Sequence, residues 1–65
     1  MKIIVNGEAR ESTSATIAAL VAELGVRVDG IAIAHNDDVV PRARFATTPL
    51  HAGDRIEIIV AVAGG

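Results

Sequence analysis

The first residues alternate, with Met1, Ile3 and Val5 on one side of the chain and Lys2, Ile4 and Asn6 on the other. That is the period of a strand with one buried face. Asn6-Gly7 follows at once. A type I′ turn needs positive φ at both central residues, and Asn-Gly supplies this with least strain, so a hairpin is predicted. The returning strand, Glu8 to Glu11, is short and polar, as suits a sheet edge. After Ser12-Thr13-Ser14, the residues Ile17, Leu20, Val21 and Leu24 recur at helical spacing and make one apolar face. Ser14 or Thr16 serves as the N-cap, and Gly25 closes the helix in a left-handed conformation. Asp29-Gly30 marks a turn, residues 31–34 a strand, residues 35–38 a polar turn, and Val39-Val40 a short strand ended by Pro41. Residues 42–49 have no period, and Phe45 is expected to plug the core from this loop. After the turn Ala52-Gly53-Asp54, the residues Ile56, Ile58, Val60 and Val62 alternate with Arg55, Glu57, Ile59 and Ala61, the most regular strand pattern in the chain.

The order strand, strand, helix, strand, short strand, strand predicts an α+β fold, with one helix covering one face of a mixed sheet of four to five strands. At 65 residues the chain supports one core. The expected division is a domain over residues 1–60 and a flexible Gly-Gly tail over residues 61–65. If Ile3, Val5, Ile56 and Ile58 face the helix, Ile4 and Ile59 point to the opposite face. They would there form an exposed apolar patch, a docking site for a partner protein, the alternative being that a neighbouring strand's side chains shield Ile4.

Composition excludes several classes of chemistry. There is no cysteine, so disulfides, thiolate metal sites and a cysteine nucleophile are absent from this chain. The same absence favours a reducing, cytoplasmic setting. Net charge is −2, the basic residues are scattered, and Phe45 is the sole aromatic residue, so no nucleic-acid interface is expected. Nothing reads as a signal peptide. The apolar run 58–63 falls far short of the roughly 20 residues that span a bilayer, so no membrane association is expected. His35 and His51 lie in separate turns with no third ligand at useful spacing. They read as solvated, Asp37-Asp38 reads as turn chemistry, and no metal site is expected. Arg42 and Arg44 serve solubility or meet an acidic patch on a partner.

The chemistry lies at the far end, in Ala61-Val62-Ala63-Gly64-Gly65. These five small residues reach about 16 Å when extended. Gly64 and Gly65 lack a Cβ, so Ala63, Gly64 and Gly65 can thread a narrow channel into a partner's active site. A terminal carboxylate with a pKa near ~3.5 is a poor acylating agent. It becomes reactive as an acyl adenylate made from ATP, and a sulfur nucleophile then converts it to a thiocarboxylate. The chain has no phosphate-binding loop, so activation belongs to another enzyme. The chain itself is read as a shuttle rather than an enzyme, with no bound cofactor and no catalytic residue.

The whole chain resembles the sulfur carrier proteins of thiamine biosynthesis, the ThiS type, which are small β-grasp proteins related in fold to ubiquitin. The resemblance rests on Asn6-Gly7, on Ile17 through Leu24, and on Ala32-Ile33-Ala34-His35-Asn36. It continues through Val39-Val40-Pro41-Arg42, Phe45, Leu50, Gly53-Asp54-Arg55-Ile56-Glu57 and Ala63-Gly64-Gly65. It implies that Gly65 is adenylated by an E1-like adenylyltransferase of the ThiF type. Sulfur would come from a cysteine desulfurase or sulfurtransferase system, giving 1-thioglycine at Gly65. Thiazole synthase of the ThiG type would be the recipient, and Ile4 and Ile59 would dock the activating enzyme and the synthase. One departure is Phe45, where the family often has tryptophan; both are bulky apolar plugs. Other readings are a carrier for molybdopterin or another sulfur metabolite, a ubiquitin-like modifier joined through Gly65, and a plain β-grasp interaction domain. Molybdopterin carriers tend to be longer, which favours thiamine.

Overall fold

A computed structural model describes residues 1–60; the tail positions Ala63, Gly64 and Gly65 lie outside the described residues. The described chain runs β1 (Lys2–Val5), β2 (Glu8–Glu11), α1 (Ile17–Leu24), β3 (Ile31–His35), β4 (Asp38–Val40) and β5 (Arg55–Val60). A turn of 3₁₀ helix, Arg42–Arg44, precedes Phe45. The five strands form one sheet in the order β2-β1-β5-β3-β4. β1 and β5 are parallel, and the other pairings are antiparallel. With the one helix on one face, this is the mixed-sheet β-grasp arrangement, and β5 lies at its centre.

Local chemistry accounts for the elements. Asn6 and Gly7 take φ values of 50° and 82°, the pair of positive angles a type I′ hairpin requires. Thr16 caps α1, its Oγ1 accepting the Ala19 N–H at 3.1 Å. At the other end Gly25 adopts φ 71°, its N–H donating to the Ala22 carbonyl while Val26 donates to that of Val21. These two bonds make a Schellman close. The free N–H groups of the first helical turn go to the aperiodic loop, Ile17 donating to the Thr48 carbonyl at 3.0 Å and Ala18 to that of Phe45 at 2.9 Å. The segment that lacks a sequence period is thereby tied to the helix start, and Phe45 is buried as expected.

The core is built from both layers. Ile17, Leu20 and Val21 of α1 pack with Ile3, Ile33, Val40 and Ile56 of the sheet and with Phe45 and Leu50 of the loop. Val5 and Ile58 join from the same sheet face, as their alternation with Ile4 and Ile59 predicts.

Ser14 is used differently from its reading as an alternative cap. Its hydroxyl donates to Glu23 Oε1 at 2.6 Å, Ser12 donates to the same oxygen at 2.7 Å, and Arg10 Nε reaches Oε2 at 3.1 Å. One carboxylate thus clamps the β2–α1 connection to the last turn of the helix.

Candidate functional site

Position 60 ends β5, and the proposed reactive residue follows five positions later. Among the described residues, the strand that carries the tail and the surface around it make up the candidate site.

β5 is held on both sides. β3 pairs along it from His35↔Ile56 to Ile31↔Val60, whereas β1 pairs through Ile4↔Arg55 and Val5↔Ile56. Two turn asparagines extend these ladders. The Asn36 N–H donates to the Arg55 carbonyl at 2.8 Å, and its side-chain Oδ1 accepts the Arg55 N–H at 2.8 Å. On the opposite side Asn6 donates its N–H to the Ile56 carbonyl at 2.9 Å, and its Oδ1 accepts the Ile58 N–H at 2.8 Å. Both asparagines have positive φ, so at each the main chain turns away while the amide side chain continues the pairing.

The start of β5 is fixed by Asp54, which is buried. Its Oδ2 accepts from His35 Nε2 at 2.7 Å and from the His51 backbone N–H at 2.8 Å, and its Oδ1 accepts from Asn36 Nδ2 at 3.1 Å. This corrects the reading of His35 as a solvated turn histidine. His35 closes β3, its side chain is 20% exposed, and it serves a structural carboxylate 19 residues away. His51 is exposed, with its ring 3.9 Å from the same oxygen. Asp37 occupies the β3–β4 turn at φ 74° and pairs with Arg55 at 2.7 Å. Arg42 pairs with Asp29 at 2.7 Å. Among the described residues no group of three His, Asp or Glu side chains is placed to hold a metal ion. Nor is any helix among them long and apolar enough to cross a membrane.

The pH response of the fold follows from these contacts. Burial alone pushes the Asp54 carboxyl up, but the hydrogen bonds from His35, the His51 amide and Asn36 outweigh it, and the net shift is downward. Glu23 is also lowered, first by the Ser14 and Ser12 hydroxyls and less by Arg10. A carboxyl lowered in the folded state stabilises it above the unfolded value, about 3.9 for Asp and about 4.3 for Glu. That contribution is lost as pH falls through the folded value, and the exposed Glu23 supplies the smaller share because solvent screens it. The urea midpoint should therefore fall steadily from pH ~5 to pH ~2. It should fall less in Asp54→Asn, and a flat wild-type profile would contradict the assignment.

The open sheet face matches the expectation only in part. Ile4 and Ile59 do share the face away from the helix, since their pairing partners Arg55 and Ala32 do. They are not neighbours. Ile4 sits beside Arg55 and Ala9, four β5 positions from Ile59, about 13 Å at ~3.3 Å per residue, with Glu57 between. Ile4 is half-buried, whereas Ile59 is 57% exposed. The apolar surface around Ile59 instead runs across β3 and β4. Ala32 lies opposite Ile59, Ala34 opposite Glu57, and Val39, 75% exposed, opposite Ala34. The sequence reading missed Ala32, Ala34 and Val39 as members of this surface. The signal was the register between β3, β4 and β5, which alternation within each strand does not specify.

Comparison with known proteins gives a consistent result. Residues 3–65 match the model of the ThiS family. The sulfur carrier protein ThiS of Escherichia coli is 33% identical over all of both chains. That of Thermus thermophilus is 30% identical over 94% of this chain and 95% of its own length. A thiazole synthase of Paramagnetospirillum magneticum is 39% identical over the whole of this chain, which spans 20% of that longer protein. Among solved structures, the crystal structure of the thiamine biosynthesis protein ThiS from Geobacter metallireducens superimposes with a TM-score of 0.86 at 26% identity, each chain covered completely.

Proposed function

The chain belongs to the ThiS family, and from that membership we propose that it carries sulfur for thiamine biosynthesis as a thiocarboxylate on Gly65. The observation that supports this most directly is the family match over residues 3–65, which takes in the central strand and the Gly64-Gly65 end together.

In this reading the Gly65 carboxylate attacks the α-phosphorus of ATP on an E1-like adenylyltransferase, releasing pyrophosphate. A persulfide from a cysteine desulfurase or sulfurtransferase then attacks the acyl carbon and displaces AMP. Cleavage of the resulting S–S bond by a thiol leaves the thiocarboxylate. This chain supplies the carboxylate that attacks ATP and the acyl group that results, and its partners supply the sulfur nucleophile, the bases and the phosphate contacts. Ala63, Gly64 and Gly65 offer the narrowest backbone a channel can admit. Thiazole synthase is the recipient, a role supported by the P. magneticum thiazole synthase, one fifth of whose length aligns with this chain.

The reaction is tested by intact mass after incubation with ATP, the activating enzyme and a sulfur donor. Exchange of one oxygen for sulfur is the expected product. Adducts on other proteins would replace the carrier by a modifier, and an unchanged mass would reject activation altogether.

The partners dock on the open sheet face, with Ile59 as the main anchor and Ile4 a lesser one. A charge at Ile59 would be desolvated in any such complex, so Ile59→Asp should lower kcat/KM for adenylation by about tenfold or more. The half-buried Ile4→Asp should lower stability more than it lowers adenylation. Unchanged adenylation kinetics for Ile59→Asp would remove this face as the docking site.

A further inference from the structure

The Asn6 side chain does more than its turn requires. A type I′ turn needs positive φ at this position, which glycine would supply equally well. The amide adds a specific contact, since its Oδ1 accepts the Ile58 N–H at 2.8 Å across 52 residues of sequence. Geometrically this is a strand-ladder bond. β1 follows β5 as far as Val5↔Ile56, and the Asn6 N–H still donates to the Ile56 carbonyl. The next acceptor the ladder needs, facing Ile58, is provided by the Asn6 side chain, because at φ 50° the backbone has turned towards β2. Beyond Ile56, β5 is thus held by β3 on one flank as far as Val60, where the strand ends, and by this amide on the other at Ile58.

We infer that Asn6 is a positioning residue for the chemistry at Gly65, fixing the line along which β5 leaves the sheet and so where the chain end is presented once a partner has docked. The inference rests on the proposed activation of Gly65. It concerns the productive fraction of bound complexes rather than docking. Loss of the bond should therefore lower kcat and spare KM, since misplacement on the ångström scale slows chemistry while the docking face persists.

The test uses two variants of the whole chain. Asn6→Gly keeps the turn and deletes the acceptor. Asn6→Asp keeps an acceptor oxygen and a residue type that tolerates the left-handed region. In Asn6→Gly the Ile58 amide should exchange with solvent about tenfold faster relative to the amides of Leu20 and Ile33, reflecting local release. The kcat for adenylation should fall about tenfold, with KM within about twofold of wild type. Asn6→Asp should recover most of both. Equal protection of Ile58 in Asn6→Gly, or a loss of kcat that Asn6→Asp does not repair, would overturn the inference. If wild type itself is not adenylated, the reading of Gly65 fails with it, whereas a failed rescue in an active wild type rejects Asn6 alone.

Discussion

Deletion of Gly65 is expected to abolish sulfur loading and to leave the urea midpoint of the fold unchanged. The second half follows from the core, whose nine members among the described residues lie between Ile3 and Ile56, nine positions before Gly65. The first half is a question of reach. Removing one residue withdraws the terminal carboxylate by about 3.3 Å. An attacking oxygen must come within roughly 3–3.5 Å of its target with correct alignment, so a displacement of one residue removes the near-attack geometry. The chain could recover the distance by peeling Val60 away from Ile31, at the cost of a pairing next to the exposed Ile59. Loading should fall by a factor of about 100 or more. Gly65→Ala separates reach from width, because it restores the length but adds a Cβ that the proposed channel would have to admit. It should retain measurable loading, below wild type. The check is intact mass with time after mixing with ATP, activating enzyme and sulfur donor. Wild-type loading of the truncated chain would remove Gly65 as the reacting group.

Much of the scaffold was legible because it is written locally. Ile17, Leu20, Val21 and Leu24 need only helical spacing to declare a face, and Asn6-Gly7 needs only its two positive φ values to declare a hairpin. Ile3, Val5, Ile56 and Ile58 share the helix-facing side for the same reason, since alternation within a strand is a local signal. What was not legible depends on partners distant in sequence. His35 looks like a turn histidine until β3 is paired with β5 and Asp54 comes within 2.7 Å. Ser14 looks like a cap until the helix brings Glu23 alongside it. The apolar face around Ile59 has the same origin. Ala32, Ala34 and Val39 gain meaning from the register across three strands, and Ile4 lost its place in that surface through the same register. Gly65 belongs to a different category. Its assignment rests on the Gly-Gly end and on family membership, and it lies outside the described residues.

Ile56→Ala is expected to produce the largest loss of stability from a single side chain that touches the carrier strand. Ile56 is 1% exposed in the central strand, with Val5 opposite on β1 and His35 opposite on β3. Truncation loses the transfer free energy of three carbons and leaves a void in the core that Ile56 shares with α1, about 2–5 kcal/mol in all. A chain of this size has about 3–10 kcal/mol to lose, so the variant should be at or near its folding threshold at 37 °C. The weaker β-propensity of alanine acts in the same direction by a smaller amount, since the whole scale spans about 1 kcal/mol. Ile56→Val separates the two effects. It keeps the β-branch and removes one methyl group, and should cost about 0.5–1.5 kcal/mol. Urea denaturation of both variants supplies the comparison. An alanine loss of about 1 kcal/mol or less, with valine close to wild type, would mean that strand propensity, rather than the packing of Ile56 under α1, sets the stability of the sheet centre. If packing dominates, sulfur loading of Ile56→Ala should recover on cooling towards the temperature of maximum stability, because the strand is then refolded and the route from β5 to Gly65 is unaltered.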